Sequence, residues 1–84
     1  MCGMSYEDPK LARLVVQDGK QFGRLLSAAR HANGLHQQEV ANLLNVSRGT
    51  IAFRERNRRQ ITVDQAVKHL DVLGYDLAIV ARDD

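Results

Sequence analysis

The stretch GLHQQEVANLLNVSRGTIAFRE, Gly34 to Glu55, decides how the chain folds. Val40, Ala41 and Leu44 recur at helical spacing in its first half and form one inward face. Asn45 follows, one of the few residues besides glycine that tolerates positive φ, so a tight turn costs little there. Ser47 can cap a second helix running from Arg48 to about Arg56, its hydroxyl accepting from first-turn amides. The stretch therefore predicts two short helices either side of a tight turn.

Outward from it, the flanks supply more helix. Gly34 suits the left-handed position that closes a preceding helix. Asp18 with Gln21 resembles a capping box that opens that helix, which runs to about Asn33 with Phe22, Leu25, Leu26, Ala29 and Ala32 as its apolar stripe. Earlier still, Asp8-Pro9 is a helix-entry signal for a short helix from Pro9 to about Gln17, and Gly19 breaks it from the next. Downstream, Thr62 with Gln65 makes another capping box; Val63, Ala66, Val67, Leu70 and Leu73 carry a further core helix that Gly74 ends. In YDLAIVA the period changes to two. Tyr75, Leu77 and Ile79 alternate with Asp76, Ala78 and Val80, which reads as a strand. A lone strand leaves its backbone groups unpaired, so the same segment of a second copy is the expected partner, antiparallel across a two-fold axis.

A chain of 84 residues with 44% hydrophobic content makes one small domain. Such a domain buries only about 60% of its unfolded surface, so a partner subunit would add stability. The formal charge of +2 hides an uneven distribution. Arg48, Arg54, Arg56, Arg58 and Arg59 crowd one segment, while Asp71, Asp76, Asp83 and Asp84 load the C-terminal end. A local basic cluster is an electrostatic footprint for phosphate. The single cysteine, Cys2, allows no disulfide within the chain, and a reducing compartment is the default. No apolar run is long enough to cross a membrane and no signal-peptide pattern occurs, so a cytosolic setting is expected. His31, His36 and His69 are scattered with no metal-ligand spacing. With no phosphate loop, nucleophile elbow or paired acids either, the sequence points away from an enzyme, and no cofactor or metal is expected.

Two short helices across such a turn are the helix-turn-helix unit. The quoted stretch, within Phe22 to Leu73, resembles the Cro/Xre-type helix-turn-helix family of phage repressors and bacterial regulators. Glycine-leucine, glutamine at the start of helix two, Glu39-Val40-Ala41, the apolar turn, the serine cap, Thr50-Ile51 and a closing glutamate carry the likeness. The resemblance implies a mainly α, four- to five-helix lambda-repressor-like domain over residues 19–74. An N-terminal extension with its short helix, 1–18, would precede it. A short C-terminal β-strand pairing across a dimer, with an acidic tail, would occupy 75–84. It also implies that the helix after the turn enters the major groove of double-stranded DNA.

By position, the resemblance places Arg48, Gly49, Thr50 and Phe53 at the bases. Arginine there can bond guanine O6 and N7, while Gly49 would let the backbone approach. Gln37, His36, Ser47, Arg54, Arg56, Arg58 and Arg59 fall at or beside phosphate positions. Arg30 and Glu55 match an internal ion pair. One departure stands out, since the family usually carries a large apolar residue immediately before that glutamate and this chain has Arg54 there. Either Phe53 faces DNA, able to touch a thymine methyl, and Arg54 lays its stem over the core edge, or the helix turns and the two exchange roles. Phe53 lies about 200° around the helix from Ile51 and Arg54 about 300°, so geometry favours the first arrangement. Hydrophobic burial favours the second.

The function expected from these residues is a homodimeric, sequence-specific transcriptional regulator, chiefly a repressor, on an inverted-repeat operator, with Tyr75, Leu77 and Ile79 at the dimer contact. Bacterial or phage-encoded settings both fit. The C-terminal strand also resembles Hip-type antitoxin regulators, so the alternative is an antitoxin that neutralises a partner toxin and represses its own promoter.

Overall fold

The computed structural model describes residues 15–57 and 60–82. Four helices occur among them: α1 (Gly19–Ala32), α2 (Gln37–Leu44), α3 (Arg48–Glu55) and α4 (Val63–Val72). The expected helix from Pro9 lies outside the described residues but for its last three, 15–17, which are not helical.

Local chemistry starts and stops each helix. Asp18 caps α1 by accepting from the Gln21 amide at 2.8 Å. The expected return arm reaches one residue further out, Gln21 Oε1 accepting from the Gln17 amide at 2.7 Å. Before α2, the Glu39 carboxylate accepts from the His36 amide at 2.7 Å. Ser47 Oγ accepts from the Thr50 amide at the start of α3, and both arms of the Thr62–Gln65 capping box form at α4. Gly34, Asn45 and Gly74 adopt positive φ after α1, α2 and α4. Beyond each, the next amide (Leu35, Val46, Tyr75) bonds back to a carbonyl of the last turn (Arg30, Ala41, Leu70). This 6→1 bond is the Schellman closure, which satisfies carbonyls the helix leaves orphaned.

The core is built from Leu26, Ala29, Val40, Ala41, Ile51, Leu70 and Leu73, with Phe22, Leu35, Leu44, Val46, Val72 and Tyr75 packed on it. Around it α3 packs against α1 and α2, and α2 also meets α4. Gly23 sets the closeness of α1 to α3: a Cβ there would lie 2.6 Å from the Glu55 carbonyl oxygen. Backbone cannot yield as a flexible side chain does, so the site requires glycine.

One expectation needs correction. Val63 and Val67 are not core residues; they are 71% and 45% exposed. The buried face of α4 is Ala66, His69 and Leu70, continued by Leu73 beyond its end. At 100° per residue Val67 lies a quarter-turn or more away from that face's midline. Admitting His69 to the interior turns the helix that way. The period-two segment forms no strand among the described residues, and the pairing expected of it requires a second copy. Among the described residues nothing offers the segment a ladder. Tyr75 packs against the chain's own core, whereas Leu77 is half-exposed and Ile79 is fully exposed.

Candidate nucleic-acid interface

The short turn Asn45–Ser47 hands the chain from α2 to α3 and leaves the first turn of α3 outward. Arg48 and Gly49 are exposed, Thr50 is partly so, and Phe53, one turn on, is 39% exposed. Ile51 between them is fully buried. The helix is therefore pinned by one face and offers the opposite one. Phe53 is on the offered side, at an open groove of about 380 Å³ that Val46, Thr50, Arg54, Gln60 and Gln65 also line. Thr50 Oγ1 and Ser47 Oγ lie 3.0 Å apart, so the two hydroxyls at the helix start support each other.

Beneath this face lies a hydrogen-bonded chain of charged and polar groups. Arg30 Nε donates to Glu55 Oε2 at 2.7 Å and Arg30 Nη2 to Glu55 Oε1 at 3.0 Å, a bidentate pair with both side chains nearly buried. The remaining Arg30 donor, Nη1, bonds the Leu35 carbonyl at 2.9 Å and so fixes the α1–α2 loop. Burial alone would raise the Glu55 pKa; hydrogen bonds from Arg30 and Gln37 and the Arg30 charge outweigh it and hold the carboxyl below its ordinary value. Gln37 Nε2 donates to Glu55 Oε1 at 3.1 Å, while Gln37 Oε1 accepts from Arg48 Nη1 at 3.3 Å. Arg48, on the offered face, is thus linked through Gln37 to an ion pair inside the domain.

His36, Ser47 and Arg56 are exposed around the same helices. Arg58 and Arg59 lie outside the described residues. Arg54 goes elsewhere: it is half-buried and its Nη1 is 3.3 Å from Nδ1 of His69 on α4. Of the two arrangements the sequence left open, the chain adopts the one with Phe53 outward and Arg54 at the core edge. His69 is fully buried, and its Nε2 has no hydrogen-bond partner among the described residues. Burial, with the Arg54 charge beside it, pushes the His69 pKa down to about 4, so the imidazole is neutral near pH 7. Sequence reasoning missed His69 as a partner of α3. The available signal was its spacing of three from Ala66 and four from Leu73, which puts it on the core stripe.

No group of histidine, cysteine and acidic side chains suited to a metal ion occurs among the described residues, and no helix there is long and apolar enough to cross a membrane.

Four small helices, the middle pair joined by a tight turn, with a polar-rimmed helix offered to solvent, define a helix-turn-helix domain. The family model for the Cro/C1-type helix-turn-helix matches residues 26–80, and the chain belongs to that family of DNA-binding transcription regulators. No curated protein matches the chain.

Proposed function

We propose that the chain is a sequence-specific transcriptional repressor that binds an inverted-repeat operator in double-stranded DNA as a homodimer. The observation that carries this is the exposed face of α3, where Arg48, Gly49, Thr50 and Phe53 stand over a buried Ile51. Arg48 reads a guanine edge, Gly49 admits the base pairs closely, and Thr50 and Phe53 complete the base contacts. Gln37, His36, Ser47 and Arg56, with Arg58 and Arg59 after them, hold the phosphates on either side. The family match supports DNA binding; the division into base and phosphate contacts is our own.

Dimerisation follows from the C-terminal segment. Leu77 and Ile79 gain burial and their backbone gains a ladder when a second copy adds its own segment, with Tyr75 anchoring each to its core. Two α3 helices then enter successive major grooves about 34 Å apart. Selection of bound duplexes from a random pool tests the reading. An inverted repeat with half-sites about one helical turn apart is expected, and a recovered pool with no shared motif would sink it.

The same exposed segment supports a second reading, an antitoxin whose Leu77, Ile79 and Val80 contact a toxin protein. A stoichiometric second polypeptide that co-purifies with the chain favours it. A chain that purifies alone as a dimer counts against it.

A further inference from the structure

We infer that Arg54 and His69 form a polar clamp that ties the last turn of α3 to α4, so that Arg54 is a positioning residue for the base-reading face and not a phosphate ligand. The inference rests on the DNA-reading function proposed above. Arg54 belongs to the basic cluster that suggests phosphate binding, yet its guanidinium is engaged inside the domain, with Nη1 at 3.3 Å from His69 Nδ1. Arginine has no acceptor, so Nδ1 must be the unprotonated nitrogen and the proton of the neutral ring sits on Nε2. That contact joins the last turn of α3 to the interior face of α4, where His69 is fully buried. The charged groups acting on the ring are Arg54 and Glu55, and Glu55 is already committed to Arg30 and Gln37.

The consequence for reading DNA is geometric. Ile51 buries one face of α3, and the Glu55–Arg30 pair ties the end of the helix to α1. A further tie at Arg54, roughly 300° around from Ile51, joins the same turn to α4 and sets its rotation, with Phe53 on the opposite side. Moving Arg54 onto a phosphate would strip the buried imidazole of its donor, a change that carries its own desolvation cost.

Arg54→Met, His69→Phe and the double variant, measured on the selected operator and on random duplex over a range of salt, separate the two roles. A clamp predicts that each single change lowers the operator-to-random ratio roughly tenfold and that the double change is no worse than either. The salt dependence should stay unchanged. A phosphate ligand predicts that Arg54→Met weakens both duplexes equally and lowers the salt slope by about one, with His69→Phe adding independently; that pattern overturns the inference. Should the variants fail to fold, the ¹⁵N imidazole shifts of His69 in the intact protein decide. They should keep the Nε2–H tautomer with a bonded Nδ1 on adding operator, and loss of the Nδ1 bond on DNA binding overturns the clamp. If the intact protein does not distinguish operator from random duplex, the repressor reading fails first and takes the inference with it.

Discussion

Gly49 carries the sharpest contrast at the scale of single residues. A Cβ added there meets nothing nearer than Ser47 Oγ at 3.8 Å, so nothing inside the chain asks for glycine. In an exposed helical position glycine costs about 0.5–1 kcal/mol relative to alanine. Gly49→Ala should therefore raise the unfolding free energy by about that amount while weakening operator binding, because the side chain occupies space the bases need. Chemical denaturation beside a binding titration checks both; a variant that is more stable and binds as well would show that the glycine serves no contact. Gly23 is the opposite case, with backbone against its missing side chain. Gly23→Ala should destabilise by about 1–3 kcal/mol, the usual cost of overpacking, visible as a lower denaturation midpoint.

Between elements, the energetics concentrate where α1 meets α3. The Arg30–Glu55 pair is nearly buried, and the carboxylate accepts two hydrogen bonds from Arg30 and one from Gln37. Replacing Glu55 by Ala leaves the Arg30 guanidinium uncompensated and should cost about 3–5 kcal/mol. A loss under about 1 kcal/mol would mean that water already reaches the pair. The element boundaries were legible in the sequence because they rest on local chemistry: Ser47, Thr62 with Gln65, and Gly34, Asn45 and Gly74 each act within a few residues. The facing of α4 was not legible. An apolar stripe through Val63 and Val67 suggested one rotation, whereas the buried face runs through Ala66, His69, Leu70 and Leu73, with His69 in contact with Arg54 fifteen positions away. The order Phe53-Arg54 resisted for a related reason: burial and helical register pull opposite ways, and the tie is broken by a residue on a different helix. Base and phosphate roles lie further out of reach, since they depend on where DNA sits.

For the molecule as a whole, the buried imidazole couples stability to pH. An unfolded histidine titrates near 6.5 and His69 near 4 when folded, so between those values only the unfolded chain takes up the proton. The stability that its neutral burial contributes is complete above about pH 6.5 and is lost as pH falls toward 4, by up to about 3 kcal/mol. Glu55, held below its ordinary value, adds a further loss only at lower pH. Denaturation midpoints at intervals from pH 7.5 to 4 should slope downward in the wild type and flatten above pH 5 in His69→Phe; a flat wild-type profile would mean that the ring is hydrated. In the proposed assembly two such domains share one operator, each reading through α3. The direct test of that reading is the affinity of Arg48→Ala for operator and for random duplex at matched salt. Loss of one guanine contact should weaken operator binding by about 1–3 kcal/mol per half-site and leave random-duplex binding nearly unchanged. An equal loss on both duplexes would show that Arg48 holds phosphate and that α3 does not read sequence through it.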